Sequence, residues 1–331
     1  MKVYVTQPIA ESALERLRAR AEVRLNPDPL HIPAKDELVA ALRDADMLFC
    51  MLHDAVDREV IAAGPRLRAI ATMAVTPANV DVAEATRRRI PVTVIPRELL
   101  DDPTADLAFA LLLAVGRRVA EADRFVRTGA LAGSQSRRFE AAGVSGRTLA
   151  ILGMGGVGRA AARRARGFSM RVLYHDPRRL GAEEEAALGV QCVPFDELFA
   201  AADYVSLHVG LTERTRHLIG ARELGLMKRS AFLINTARGA IVDERALVAA
   251  LAQGHIAGAG LDVHEHEPRI DPALLAMPNV VLTPHIGSAV ASLRQAMADI
   301  AVDNILAIAD GHPAPDCYNA AIYAAPTLEG V

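Results

Sequence analysis

The run Thr148-Leu149-Ala150-Ile151-Leu152-Gly153-Met154-Gly155-Gly156-Val157-Gly158 constrains the fold more than any other stretch of the chain. An apolar strand runs here into glycines, and Arg159 to Arg166 continues as a helix. Each glycine has its own reason. Gly153 makes a tight turn, Gly155 leaves room for a pyrophosphate, and Gly158 lets helix and strand pack closely. Unpaired N–H groups at the helix start then face an anion. A second apolar run, Arg171 to His175, ends at Asp176, 23 residues after Gly153. A carboxylate there accepts hydrogen bonds from the adenosine ribose hydroxyls and repels a 2′-phosphate, which favours NAD(H). Arg178 and Arg179 keep NADP(H) open, because arginines just past that strand can clamp a phosphate. The plainer alternative is a glycine-rich turn in an unrelated α/β domain, with Asp176 capping a loop.

The rest of the chain alternates short apolar runs with amphipathic stretches, which implies parallel sheets. Strands are expected at Val3–Thr6, Met47–Met51, Ala69–Met73 and Val92–Ile95, with helical patterns between them at Ile9–Arg20, Lys35–Arg43, Arg58–Ala63 and Val82–Arg88. One long helix is expected from Thr104 to Thr128, followed by an irregular arm or packed loop from Ala130 to Gly146. A second series begins at Arg147. Its strands are expected at Thr148–Leu152, Arg171–His175, Tyr204–His208, Ala231–Asn235, Gly258–Asp262 and Val280–Thr283. A last helix, about Val290 to Asp310, points back to the first domain. A length of 331 residues favours two domains.

Net charge is -3, so charge alone argues for neither nucleic acid nor anionic lipid as a partner. The cysteines, Cys50, Cys192 and Cys317, are odd in number and form no ligand pair, which fits a reducing compartment such as the cytoplasm. The N-terminus reads as a first strand and not a signal peptide, and no window has the length and purity of a membrane span.

A carbonyl accepts hydride more readily when a group polarises its oxygen and supplies a proton. A carboxylate substrate also needs a fixed cation, and arginine's rigid fork suits that role. Three residues near expected strand ends meet these needs, and open parallel sheets place ligands there. Arg238 follows Asn235-Thr236-Ala237, Glu267 lies in Asp262-Val263-His264-Glu265-His266-Glu267-Pro268, and His285 lies in Thr283-Pro284-His285-Ile286-Gly287. In this reading Arg238 holds the carboxylate and the carbonyl oxygen, and His285 donates or accepts the proton. Glu267 orients His285 and favours the charged imidazolium. Taken singly, Arg238 is more often a surface ion-pair partner, Glu267 part of a solvated loop and His285 a satisfied loop histidine. His264, Glu265 and His266 invite a metal reading, but neighbours on one loop make a poor coordination shell, and no metal is expected. His208, closing the strand before Val209 and Gly210, borders the cofactor or simply caps that strand.

These motifs, in this order and spacing, resemble the D-isomer-specific 2-hydroxyacid dehydrogenases, and most closely their glyoxylate/hydroxypyruvate reductase branch. Asp101-Asp102-Pro103-Thr104-Ala105-Asp106 is similar to the family's entry into its long interdomain helix. The resemblance implies an α/β fold: a Rossmann-type NAD-binding domain, about 101–288, inserted into a flavodoxin-like substrate domain, about 1–100 and 289–331. It implies a homodimer with an arm at about 104–146. It implies Arg238, Glu267 and His285 as the catalytic set, with substrate contacts from Leu52, Ala74, Val75, Arg238 and His285. Cofactor contacts are implied at Thr104, Gly153, Gly155, Gly156, Val157, Gly158, Asp176, His208, Val209, Gly210, Thr215, Thr236, Ala237, Arg238, Asp262, His285 and Gly287. The implied activity is NAD-linked reduction of a small 2-oxo acid, with a larger acid such as phenylpyruvate, or a slow NAD(H)-sensing interaction protein, as the alternatives.

The chain departs from the family pattern in places. Met73-Ala74-Val75-Thr76-Pro77 stands where a glycine-rich substrate loop is usual, and Pro77 removes a donor. Gly156 replaces a side chain, often arginine, Gly210 replaces a proline, and Arg97 replaces a glycine. Tryptophan is absent from the whole chain, so the aromatic residues usual near 133 are missing.

Overall fold

The computed structural model describes residues 1–324. They form two compact units, Met1–Leu99 together with the chain from Ala289 onward, and Leu100–Ser288.

The first unit begins β1 (Lys2–Val5), α1 (Glu11–Arg18), β2 (Glu22–Leu25), α2 (Lys35–Leu42), β3 (Met47–Cys50), α3 (Arg58–Ala62), β4 (Ala69–Thr72), α4 (Val82–Arg87) and β5 (Val92–Thr93). Its sheet has the order β2-β1-β3-β4-β5, with every pair parallel. That is the flavodoxin-like doubly wound order, with its switch point between β1 and β3. Strands β3 and β4 are buried along their whole length and so read as continuous apolar runs. The edge strand β2 was not expected. Its Glu22 and Arg24 are exposed, and that alternation of charge with apolar residues disguised a one-sided edge as a connection.

The second unit contains α5 (Asp101–Gly116), α6 (Val119–Arg127), β6 (Thr148–Leu152), α7 (Gly156–Gly167), β7 (Arg171–His175), α8 (Ala182–Leu188), β8 (Val190–Cys192), α9 (Phe195–Ala201), β9 (Tyr204–Leu207), α10 (Ala221–Leu226), β10 (Phe232–Asn235), α11 (Glu244–Ala252), β11 (Gly258–Leu261), α12 (Pro272–Ala276) and β12 (Val280–Leu282). The parallel order is β12-β11-β10-β9-β6-β7-β8, a Rossmann arrangement extended by one strand, with its switch point between β6 and β9. One face is covered by α5 and α7 through Phe109, Leu112, Ala160 and Ala161. The other is covered by α9, α10 and α11 through Phe199, Leu224 and Leu247. The chain then returns to the first unit as α13 (Ala291–Ala309), which packs on α1 and β4.

The single helix expected from Thr104 to Thr128 is in fact two. Arg118 takes a left-handed φ of 54° and ends the ladder between α5 and α6. Gly116 closes α5 where a Cβ would sit 3.0 Å from the Tyr204 ring. The first of these helices also starts earlier, at Asp101, because Pro103 lies in the opening turn, where an N–H has no intrahelical acceptor. Met51, Met73, His208, Asp262 and Thr283 fall just beyond their strands, and the last four still donate a backbone N–H to the neighbouring strand. Among the described residues no helix is long and apolar enough to cross a membrane.

Candidate active site

The glycine turn leaves β6 at the switch point, leads into α7 and packs against the end of β9. Gly153 has φ 95°, and a Cβ on it would lie 2.8 Å from the carbonyl of His208 and from Val209. Only glycine combines that backbone with that approach. A side chain at Gly158 would strike the Gly153 carbonyl, whereas Gly155 faces open space, the room an anion needs. Asp176 closes the turn from β7: its carboxylate accepts from the Met154 N–H at 2.9 Å and from the Arg178 N–H at 2.8 Å. Each oxygen keeps a further lone pair for a ribose hydroxyl. The glycine at 156 now has a reason: the Asp101 carboxylate occupies the space its side chain would fill.

The rest of the expected cofactor wall lies on the same sheet edge. His208 Nε2 is 2.9 Å from Ser206 Oγ, and burial pushes its imidazolium down to about 4, so the ring is neutral at ordinary pH. Thr215 donates to the Gly210 carbonyl at 2.7 Å and closes the loop after β9. Thr236 Oγ1 is buried without a hydrogen-bond partner, although buried hydroxyls are normally satisfied. Thr104 lies 3.6 Å from where a Cβ of Gly287 would be. A glycine cradle, exposed helix-start amides and an orphaned hydroxyl beyond a neighbouring strand suit a dinucleotide, and the turn at Gly153–Gly158 is where its pyrophosphate would lie. His175, by contrast, is structural: Nδ1 meets the Val193 carbonyl at 3.0 Å and the ring packs on Phe195.

The three candidate catalytic residues leave three adjacent strands. In register, Asn235 pairs with Leu261 and Leu261 with Leu282, so the segments carrying Arg238, Glu267 and His285 emerge side by side. His285 Nδ1 is 2.9 Å from Glu267 Oε2, and the two side chains are 21% and 22% exposed. Glu267 Oε1 is itself held by the His264 N–H at 2.9 Å. His285 has φ 55°, a left-handed conformation that a non-glycine residue adopts at a cost and that over-determined surroundings sustain.

Those surroundings are built around Asp262. Its buried carboxylate accepts from Thr283 Oγ1 at 2.7 Å, from Ile286 N–H at 2.8 Å and from Gly287 N–H at 2.9 Å, while its carbonyl accepts from His285 N–H at 2.8 Å. Asp262 thus acts here as the organiser of the histidine loop. Arg238 is braced from its own strand. Asn235 donates to the Arg238 carbonyl at 3.0 Å and accepts from Ala237 N–H at 3.0 Å, and the guanidinium donates to the Ala237 carbonyl at 2.6 Å. Gly239 packs so closely on the His264–Glu265 peptide that no side chain fits. Glu265 is drawn elsewhere, to His217 at 2.5 Å and to the Glu244 N–H at 3.1 Å, which separates it from Glu267. Among the described residues no cluster of acids, histidines and cysteines is placed to hold a metal ion.

In the first unit, Leu52, Ala74 and Val75 lie on loops after β3 and β4. The Ala74 carbonyl is fixed by Ile95 N–H at 2.9 Å. Among the described residues, the Ala74 and Val75 amides donate to no protein acceptor. A buried network not foreseen from the sequence shapes the neighbouring loop. Asp54 accepts from Thr6 Oγ1 at 2.5 Å and Met51 N–H at 2.6 Å, and Asn79 donates to the Met51 carbonyl at 2.9 Å and the Asp54 carbonyl at 2.8 Å. Burial raises the Asp54 carboxyl above its ordinary value. The only sequence signal was polar residues just past apolar runs.

A model of the D-isomer-specific 2-hydroxyacid dehydrogenase NAD-binding domain matches residues 109–287. The chain belongs to the D-isomer-specific 2-hydroxyacid dehydrogenase family. A glyoxylate reductase from Thermococcus litoralis is 45% identical over 323 residues, 96% of each chain. A protein structure from Thermus thermophilus is 40% identical, covers 96% of this chain and 100% of its own, and superposes with a TM-score of 0.87. An NADPH-dependent glyoxylate/hydroxypyruvate reductase from Sinorhizobium meliloti, in complex with citrate, is 33% identical, with coverage of 96% and 98% and a TM-score of 0.80. The chain is therefore an oxidoreductase with a nicotinamide-dinucleotide domain. NAD(H) is favoured by Asp176, and NADP(H) remains compatible with the family.

Proposed function

We propose that this enzyme reduces glyoxylate, hydroxypyruvate or a similarly small 2-oxo acid to the D-2-hydroxy acid, with NADH as the preferred donor. The observation that carries the reading is the glutamate-backed histidine at the ends of β11 and β12, next to an arginine at the end of β10. The reductases from Thermococcus litoralis and Sinorhizobium meliloti are named for acids of this class. NADH supplies the hydride. Arg238 presents a planar fork of donors to the substrate carboxylate and carbonyl oxygen, drawing electron density from the carbon. His285 releases a proton from Nε2 to the carbonyl oxygen during reduction and recovers it during oxidation, while Glu267 keeps Nδ1 protonated and the ring aligned. The Ala74 and Val75 amides and the Leu52 side chain are the further substrate contacts in this proposal, since amides donating to no protein acceptor suit a carboxylate.

A homodimer through the second unit also belongs to this reading. Val119, Val126, Leu131 and Leu275 are exposed there, and concavities of about 300 Å³ and about 350 Å³ share Ala120 in their linings, with Leu275 lining the second. A second copy would cover them, and light scattering should then return twice the 35.3 kDa chain mass. A cytoplasmic location fits the free thiols of Cys50, Cys192 and Cys317.

The test is a kinetic screen of glyoxylate, hydroxypyruvate, pyruvate and phenylpyruvate against NADH and NADPH, followed by chiral analysis of the product. Arg238→Ala and His285→Ala should each lower kcat/KM by at least about 10²-fold. Full rates in both variants would show that the site has been assigned to the wrong residues.

A further inference from the structure

We infer that Glu185 is a cofactor-selecting residue: it holds Arg179 away from the 2′ position of the adenosine ribose and so disfavours NADPH. The inference rests on the dinucleotide reading of the turn at Gly153. Asp176 lies one residue past β7, where the ribose is expected, and Arg178 and Arg179 follow it after Pro177. A guanidinium at this place is the natural partner of a 2′-phosphate, because a planar fork binds phosphate oxygens in pairs.

Arg179 is already engaged. Its Nε is 2.9 Å from Glu185 Oε1 and its Nη2 is 2.9 Å from Glu185 Oε2, a two-pronged pair in the first half of α8. The glutamate is fixed independently of the arginine. The buried Tyr174 hydroxyl donates to Glu185 Oε1 at 2.6 Å and accepts from the Leu180 N–H at 2.9 Å. The Glu185 side chain is only 13% exposed, whereas Arg179 is 68% exposed. The anchor is therefore on the acid and the mobile partner is the base. The preceding residue repeats the arrangement, with Glu184 holding Arg159 Nε at 2.5 Å while Arg159 also donates to the Met154 carbonyl in the glycine turn. Consecutive glutamates on α8 thus each claim an arginine beside Asp176. The Arg179 guanidinium, and Tyr174 after it, hold the Glu185 carboxyl down to about 2, so the pair persists at every pH the enzyme meets.

The variant that isolates the effect is Glu185→Gln. The amide oxygen still accepts from Tyr174, but the negative charge that competes with a 2′-phosphate is gone. Dissociation constants for NADH and NADPH on the full chain, measured by isothermal titration calorimetry, are the readout. NADPH should bind about tenfold more tightly, the worth of one released charge-assisted pair, while NADH stays within about twofold. The double variant Glu185→Gln/Arg179→Ala should lose the gain. Arg179→Ala alone replaces an exposed side chain and should leave NADPH affinity within about twofold, because that guanidinium is already withdrawn. Equal changes in both cofactors on Glu185→Gln, or an NADPH loss of about tenfold on Arg179→Ala, would overturn the inference. Failure of the unaltered protein to bind either dinucleotide would instead strike the reading on which it rests.

Discussion

Replacing Gly239 with alanine tests whether the active site depends on how closely two strand ends approach. An added Cβ would lie 2.5 Å from the Glu265 amide nitrogen and would overlap the His264 carbonyl. Comfortable contact between such atoms needs about 3.5 Å, so the two segments must part by more than about 1 Å. The moving segment cannot shift alone. The His264 N–H holds Glu267 Oε1 at 2.9 Å, and Glu267 Oε2 meets His285 Nδ1 at 2.9 Å. Arg238, one residue before the substitution, is pinned through its carbonyl to Asn235 at 3.0 Å. The arginine thus stays with its strand while the carboxylate and imidazole move away from it.

A misplacement of about 1 Å at reacting groups can reduce turnover by about 10²-fold, or about 2.7 kcal/mol in the barrier. Overpacking should also lower stability by about 1–3 kcal/mol. The assay is kcat with NADH and the best 2-oxo acid, alongside urea unfolding and NADH affinity. The expected pattern is a large loss of kcat, a moderate loss of stability, and a smaller loss of NADH affinity, since β9 lies between the glycine turn that follows β6 and the segment that follows β10. A Gly239→Ala enzyme that folds and retains kcat within about twofold would refute the argument that this approach sets the register of Arg238 against the dyad.

Asp176→Ala should lower discrimination against NADPH by about tenfold, since it removes the charge that repels a 2′-phosphate, and an unchanged NADH/NADPH ratio would show that another group selects the cofactor. Gly225→Ala, in α10 with open space where its Cβ would point, should raise stability by about 0.5–1 kcal/mol in urea unfolding, and a loss would mean the helix is strained there. His208 carries a pH signature. Its value falls from 6.5 unfolded to about 4 folded, so the unfolded chain binds the extra proton between those limits and stability declines as pH drops through that window. The contribution should be on the order of 2 kcal/mol, and His208→Gln should flatten that acid limb in the cofactor-free protein. An identical limb in the variant would assign the titration to another group.

How far the site was legible in the sequence follows from the range of the forces that build it. The turn at Gly153–Gly158 could be read because its constraints are local: a φ of 95° and a helix start a few residues away leave little choice but glycine. Arg238, Glu267 and His285 could be read because each falls a few residues past an apolar run, and parallel strands carry such positions to one edge. What escaped notice depends on pairing across long separations. Gly156 looked like a defect until Asp101 was found filling its side-chain space, and Asp54 and Asn79 looked like ordinary loop residues until Thr6 completed their network. The break at Arg118 escaped because α5 is interrupted where it meets Tyr204, a residue of a distant strand. Even Glu185, only 11 residues from Tyr174, reads as one more acid at a helix start, since nothing in the spacing shows that a buried phenol fixes it. The residues proposed to carry out the chemistry are thus marked by local geometry. Those proposed to refine its cofactor preference and precision, such as Glu185 and Gly239, are marked by their partners, which a linear pattern does not show.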